Sequence, residues 1–132
     1  MATDPVRLLV VDDEQGFLDV LAKRMKRRGI DVTTVPSGAE AIQTLRKQDF
    51  DVAVVDLKLQ DMDGLEVLDI FKKMVPELAV IMLTGHGSSE AVAEGMAKGA
   101  CEYLSKPCDL ETLVGKIHEA AGRSPDGGGD ED

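Results

Sequence analysis

The sequence has no tryptophan, one tyrosine and only two cysteines among its 132 residues. Cys101 and Cys108 are seven positions apart, without the CxxC spacing or the histidine partners of a zinc site. Two isolated cysteines do not make a disulfide framework either, so we expect both to be reduced, structural thiols.

Long apolar runs are also missing. The longest spans about five residues, whereas a helix needs roughly twenty to cross a bilayer. The opening Met-Ala-Thr-Asp-Pro has neither the basic nor the apolar part of a secretion signal. We therefore expect a cytoplasmic protein with no membrane insertion.

Basic residues are few compared with acidic ones. Lysine and arginine total 15 against 25 aspartates and glutamates, which gives a formal net charge of −10. Proteins that bind nucleic acid present basic faces, so this balance argues against direct nucleic-acid binding and against anionic membrane surfaces. Hydrophobic residues make up 43% and charged residues 30%, as in an ordinary globular domain.

Strand and helix signals alternate five times along the chain. Short apolar or β-branched runs predict strands at 7–11, 31–35, 52–55, 79–83 and 101–105. Apolar residues at helical spacing, with capping signals, predict helices at about 17–25, 37–48, 63–75, 88–98 and 109–121. This alternation predicts an α/β domain with a parallel sheet, right-handed crossovers and helices on both faces.

The domain is expected to cover residues 5–121. Residues 122–132 are polar, acidic and glycine-rich, which predicts a disordered tail or the start of a linker. The fourth helix offers only Val92 and Met96 as sizeable apolar anchors, so we expect it to be loosely held.

Polar residues that could bind a ligand or take part in a reaction follow several of the strands. They are Asp12, Asp13, Asp56, Thr84 and Lys106. In a parallel sheet the carboxyl ends of the strands share one edge, where ligands bind in open α/β folds. The apolar run 52–55 ends directly on Asp56. An acid at that position does not improve the packing of a strand that is buried on both faces.

Three carboxylates in a small volume repel one another unless a pKa rises or a cation binds. Hard oxygen ligands suit Mg²⁺, which keeps several waters and takes one or two protein carboxylates. A divalent ion beside a lysine and a hydroxyl makes a site for a phosphoryl group, with one carboxylate free to attack phosphorus.

These motifs, in this order, resemble the receiver domain of two-component response regulators (CheY-like). The resemblance covers about residues 6–121. It rests on Leu-Val-Val-Asp-Asp-Glu at 9–14, Val-Val-Asp-Leu at 54–57, Met-Asp-Gly at 62–64, Leu-Thr-Gly at 83–85 and Tyr-Leu-Ser-Lys-Pro at 103–107. It implies a flavodoxin-like, doubly wound sheet of five strands in the order 2-1-3-4-5 with five helices.

The resemblance also implies roles for single residues. Asp56 is the expected phosphoacceptor. Mg²⁺ (or Mn²⁺) is expected on Asp13, Asp56 and the backbone carbonyl of Lys58, with Asp12 assisting. Lys106 is expected to pair with the phosphoryl oxygens.

The remaining implied roles concern the response to phosphorylation. Thr84 is expected to hydrogen-bond the phosphoryl group, and Tyr103 to move from exposed to buried. The peptide bond before Pro107 is expected to be cis. Lys58 and His86, each two residues after a site residue, occupy positions that resemble those tuning phosphoryl lifetime. Proline is common in the family four residues after the phosphoacceptor; Gln60 stands there instead, which predicts a more mobile loop.

The implied function is a phosphoacceptor receiver of a two-component system or phosphorelay. The phosphoryl group would come from a sensor histidine kinase or a phosphotransfer protein. Phosphorylation would reshape the face made by the fourth helix, fifth strand and fifth helix, where a downstream effector binds. Such a protein is not an enzyme toward other substrates. The chain could be free-standing or the amino-terminal receiver of a longer, for example transcriptional, regulator.

Two other classes compete with this interpretation. A Mg²⁺-dependent phosphohydrolase generally carries a second acid two residues after its nucleophile and a lid over its substrate, but here Lys58 follows Asp56 and no stretch is long enough for a lid. A flavin carrier needs a Ser/Thr-Gly-rich loop after the first strand, where this chain has Asp-Asp-Glu. Aromatic residues at 3% also leave little to stack on a flavin.

Overall fold

The structure, a computed structural model, describes residues 4–85 and 87–122. In this part of the chain five strands alternate with five α-helices, and a short 3-10 helix, Lys26–Arg28, precedes the second strand. The strands are β1 Val6–Val11, β2 Ile30–Val35, β3 Val52–Val55, β4 Ala79–Thr84 and β5 Glu102–Ser105. The helices are α1 Gln15–Met25, α2 Gly38–Lys47, α3 Gly64–Met74, α4 Ser89–Ala97 and α5 Leu110–Ala120. His86 and residues 123–132 of the predicted tail, which begins at 122, lie outside the described residues.

The strands form one parallel sheet in the order β2-β1-β3-β4-β5. This confirms the predicted α/β class and strand order. Helices α1 and α5 cover one face of the sheet, with a core that contains Leu18 and Ile117. Helices α2, α3 and α4 cover the other, with a core that contains Leu45 and Phe71. Strand β3 is central, and all four of its residues are buried.

Four of the five predicted strands differ from the observed ones by one residue at one end, and β3 has the predicted bounds. Pairing sets the ends: Val6 pairs with Ile30 at one edge of the sheet, and Thr84 pairs with Ser105 at the other. Ser37, Asp63, Ser88 and Asp109 each accept a hydrogen bond from a backbone N–H in the first turn of the helix that follows.

Helix α4 buries fewer residues than the other four α-helices. Only Gly95 of its residues is buried. The prediction that Met96 is an apolar anchor is wrong, because its side chain is 45% exposed. The helix approaches the sheet at Gly95, where an added Cβ would make ordinary contacts with Leu65, Met82 and Tyr103. A small residue therefore sets the position of α4, in place of a large apolar side chain.

Candidate phosphoryl and cation site

The carboxyl edge of the sheet brings the predicted acids together. Asp12 and Asp13 follow β1, and Asp56 follows β3, the strand paired with β1. One oxygen from each of these carboxylates lies within 4.8 Å of the others. Asp12 and Asp56 are buried, whereas Asp13 is partly exposed. The backbone N–H of Asp56 donates to the carbonyl of Val11 at 3.0 Å, which extends the pairing of β1 and β3 to the site.

Lys106 supplies the positive charge of this site. Its Nζ lies 2.6 Å from Oδ2 of Asp12, 2.8 Å from Oε1 of Glu14 and 3.5 Å from Oδ2 of Asp56. The same atom lies 4.7 Å from the centre of the Phe17 ring, close enough for a cation–π contact. Lys106 follows β5, and its backbone N–H donates to the carbonyl of Thr84 at 2.9 Å. The Lys106–Pro107 peptide bond is cis.

Burial and hydrogen bonding have opposite effects on the pKa values of Lys106 and Asp12. Burial would lower the pKa of Lys106, but its hydrogen bonds to Asp12 and Glu14 outweigh that effect and raise the pKa above its ordinary value. For Asp12 burial wins: it raises the pKa, although the hydrogen bonds from Lys106 and from the backbone N–H of Glu14 lower it. Asp12 is therefore a carboxylate that lacks full compensation even with Lys106 beside it.

The loop after β3 places Lys58 beside the site. The backbone N–H of Lys58 donates a hydrogen bond to Oδ1 of Asp56, with the nitrogen 3.3 Å from the oxygen, and Lys58 also forms an isolated bridge with Asp63. The side chain of Lys58 is exposed. At the base of this loop Gly64 donates to the carbonyl of Leu57 at 2.7 Å. The base is so tight that a Cβ at Gly64 would lie 2.1 Å from the carbonyl oxygen of Asp56.

Thr84 and Tyr103 occupy the neighbouring strands β4 and β5. Thr84 is buried at the end of β4. The hydroxyl of Tyr103 is buried and has no hydrogen-bond partner among the described residues. It sits so close to Gly87 that an added Cβ there would lie 2.6 Å from the hydroxyl oxygen. Burial, followed by the charge of Asp56, raises the pKa of Tyr103.

Sequence reasoning missed two contributors. Glu14 and Phe17 both contact Lys106, and neither was among the expected site residues. Glu14 directly follows the acidic pair Asp12-Asp13, which is a signal that could have indicated it. Phe17 carried no such signal, since its spacing is that of a residue on the apolar face of α1.

The acids fit a divalent cation. Three carboxylates offer hard oxygen ligands in a small volume, and Lys106 lies within ion-pair distance of only two of them, Asp12 and Asp56. Oxygen ligands are those that Mg²⁺ and Mn²⁺ prefer. In the described part of the chain no helix is long and apolar enough to cross a membrane.

Known proteins resemble both the sequence and the structure. The transcriptional regulatory protein GlrR of Escherichia coli (strain K12) is 35% identical over 124 residues, which cover 94% of this chain but 28% of that protein. A CheY-like receiver domain protein from Methanospirillum hungatei superposes with a TM-score of 0.87 at 31% identity, covering 89% of this chain and 94% of that one.

A response regulator from Burkholderia pseudomallei, solved with a phosphorylated aspartic acid, a calcium ion and citrate, superposes with a TM-score of 0.81 at 28% identity. That match covers 89% of this chain and 69% of the other. The response regulator receiver domain family matches residues 8–118, nearly the whole described domain. The chain therefore belongs to the response regulator receiver domains of two-component systems.

Proposed function

We propose that Asp56 accepts a phosphoryl group from the phosphohistidine of a sensor histidine kinase or of a phosphotransfer protein. One observation carries the proposal: the buried carboxylate of Asp56 lies 3.5 Å from Nζ of Lys106 and within 4.8 Å of the carboxylates of Asp12 and Asp13. A nucleophile is thus combined with one cation and with ligands for another, which is what phosphoryl transfer needs.

In the transfer step an oxygen of Asp56 forms a bond to phosphorus while the bond from phosphorus to the histidine nitrogen breaks. The imidazole leaves with the electron pair of that bond. Asp12, Asp13, Asp56 and the Lys58 carbonyl would hold Mg²⁺ or Mn²⁺, which when bound offsets negative charge on the phosphoryl oxygens.

The side chains around Asp56 have separate tasks. Lys106 exchanges its contact with Asp56 for the phosphoryl oxygens, and the Thr84 hydroxyl donates a hydrogen bond to one of them. Water later hydrolyses the acyl phosphate and restores the carboxylate. The domain thus catalyses only its own phosphorylation and dephosphorylation, and acts on no other substrate.

The output follows from the elements next to the site. Thr84 ends β4, Tyr103 lies on β5, and α4 between them buries only Gly95. New hydrogen bonds at Asp56 bias these weakly held parts toward a second arrangement. We propose that the face made by α4, β5 and α5 then binds a downstream effector in the cytoplasm.

A second candidate is the amino-terminal receiver of a longer transcriptional regulator. The chain spans 28% of the length of GlrR, a transcriptional regulatory protein. In that case the α4-β5-α5 face would act on an attached output domain or on a second receiver. The chemistry at Asp56 is the same in both candidates.

Intact-protein mass spectrometry after incubation with acetyl phosphate tests the proposal. Wild type should gain one phosphoryl adduct that requires Mg²⁺, and Asp56→Asn should gain none. Asp69→Asn, which removes a half-exposed carboxylate on α3, is the matched control and should behave as wild type. A folded wild type that takes no adduct from acetyl phosphate or from histidine kinases would contradict the proposal and indicate a constitutive binding module.

Lys58 and His86 are proposed to set the lifetime of the phosphorylated state, because each lies two residues from a site residue, Asp56 or Thr84. We expect Lys58→Ala and His86→Ala to change the dephosphorylation rate several-fold, measured by the decay of the phosphoryl adduct. Lys47→Ala, at an exposed position on α2, is the control. Unchanged decay in both variants would remove these residues from the mechanism.

A further inference from the structure

The loop between β3 and α3 is fastened to the beginning of α2. Oδ1 of Asp61 accepts a hydrogen bond from the backbone N–H of Gly38 at 3.0 Å, and Oδ2 accepts one from Ala39 at 2.9 Å. These two bonds, that from Ala39 first, lower the pKa of Asp61. Both partners lie in the first turn of α2, where backbone N–H groups lack partners within the helix and the dipole favours an anion.

Asp61 does not replace the helix cap but adds to it. Ser37 is the N-cap of α2, and its hydroxyl accepts from the N–H of Glu40 at 3.2 Å. The two acceptors therefore serve different N–H groups of one turn. Only Asp61, however, belongs to a distant part of the chain.

The loop also packs directly on the helix backbone. A Cβ at Gly38 would lie 2.5 Å from Cγ and Sδ of Met62. Glycine at this position lets Met62, the neighbour of Asp61, rest against the first turn of α2. The contact is thus made of a bidentate carboxylate and a close-packed side chain side by side.

This contact restrains the part of the loop that includes Lys58. At its base the loop is fixed by Gly64, whose N–H donates to Leu57. At its far side it is fixed by Asp61. Lys58, whose backbone N–H approaches Asp56, lies between these two points. The loop lacks the proline that the family commonly has at position 60, so this fastening limits its motion where a stiffer residue is missing.

We propose that Asp61 is a positioning residue for the cation and phosphoryl site. By holding the loop on α2, its carboxylate keeps the backbone of Lys58 where its carbonyl can serve the cation beside Asp56. This inference rests on the proposed function, since it assumes a divalent cation at Asp12, Asp13 and Asp56.

The test compares Asp61→Ala with Ser37→Ala. Each variant removes a side-chain acceptor from the first turn of α2, so each weakens that helix end. Only Asp61→Ala releases the loop. Binding of Mn²⁺, measured by electron paramagnetic resonance on folded protein well below the unfolding temperature, should be about tenfold weaker in Asp61→Ala, as is typical when a residue that orients metal ligands is lost. Ser37→Ala should bind as wild type does.

Asp61→Asn keeps one acceptor oxygen and serves as the second variant if Asp61→Ala does not fold; its Mn²⁺ binding should be weakened several-fold. Equal Mn²⁺ affinity in wild type and the Asp61 variants, or an equal loss in Ser37→Ala, would overturn the positioning role. Wild type that still gains its phosphoryl adduct would in that case leave the proposed function standing. Wild type that binds no Mn²⁺ and takes no phosphoryl group would overturn both.

Discussion

Replacing Asp13 by Asn should stabilise the protein in the absence of divalent cations. The oxygens of Asp12, Asp13 and Asp56 lie within 4.8 Å of one another. At an effective dielectric constant of 20, each like-charge pair at about that distance costs roughly 3.5 kcal/mol. Lys106 offsets this repulsion for Asp12 and Asp56. Among the salt bridges of the described residues none involves Asp13, which therefore carries two repulsions without direct compensation.

The expected gain is smaller than the sum of those repulsions, because Asp13 is partly exposed and solvent screens its charge. We expect Asp13→Asn to raise the free energy of unfolding by about 1–3 kcal/mol. For a domain of this size each kcal/mol corresponds to roughly 4 °C in Tm. Asp31→Asn, at an exposed position on β2, makes the same charge change away from the cluster and should stay within about 0.5 kcal/mol of wild type.

Urea unfolding, followed by far-ultraviolet circular dichroism because the chain has no tryptophan, measures the effect with and without Mg²⁺. A cation at a concentration of about 100 times its Kd stabilises a protein by roughly 2.7 kcal/mol. Wild type should show that gain, and Asp13→Asn, having lost a ligand, should show less. The reasoning is refuted if the variant is no more stable than wild type without cation, or if Mg²⁺ stabilises both equally.

Two further predictions concern the loop after β3. Gly64→Ala should cost at least about 3 kcal/mol, because the added Cβ would meet the backbone of Asp56 and Leu57. Gly38→Ala should cost less, about 1–2 kcal/mol, because the flexible side chain of Met62 can move aside and Cγ2 of Val67, at 3.0 Å, has to shift only slightly. Similar urea midpoints for the two variants would contradict this. The pKa of Asp61 is lowered on folding, so its stabilising contribution is present above its unfolded pKa of about 3.9 and is lost as pH falls through its lower folded pKa. The stability difference between wild type and Asp61→Asn should therefore shrink as pH falls below about 4, and a difference independent of pH would exclude the hydrogen bonds as its cause.

The sheet and the acidic edge could be predicted because their signals are local. The apolar run of β3 ends on Asp56, and β1 ends on Asp12-Asp13, so the rule that parallel strands end at one edge is enough to bring the three acids together. The helix caps at Ser37 and Asp63 are likewise encoded within four residues of sequence.

The contacts of Asp61 and Glu14 could not be predicted in the same way. Asp61 bonds to residues more than twenty positions earlier, and Glu14 meets Lys106 across 92 positions. Loop acids of this kind look like solvated residues until the fold brings a helix end or an ammonium group to them. The expectation that Gln60 leaves the loop more mobile omitted the contact made by Asp61, the next residue, for this reason.

Met96 was misjudged for a related reason. Helical spacing indicates which residues share a face, but the distance of that face from the sheet depends on the residue at the closest approach. Gly95 brings the backbone of α4 near Tyr103, and Met96, one position on, turns outward. Periodicity alone does not distinguish a helix that packs through large side chains from one whose backbone approaches the sheet at a glycine.

Under the proposed function, the contacts around Tyr103 determine how much energy a change of the α4-β5-α5 face requires. A buried hydroxyl without a hydrogen-bond partner costs about 1–3 kcal/mol relative to a hydrated or bonded one, and the hydroxyl of Tyr103 has no partner among the described residues. Helix α4 approaches the Tyr103 ring at Gly95, its only buried residue. Neither a hydrogen bond of the Tyr103 hydroxyl within the described residues nor a buried large side chain of α4 therefore holds this arrangement. Charge-assisted hydrogen bonds contribute roughly 1.5–3 kcal/mol each, so one or two formed at Asp56 after the proposed phosphorylation are at least as large as the cost of burying a hydroxyl without a partner.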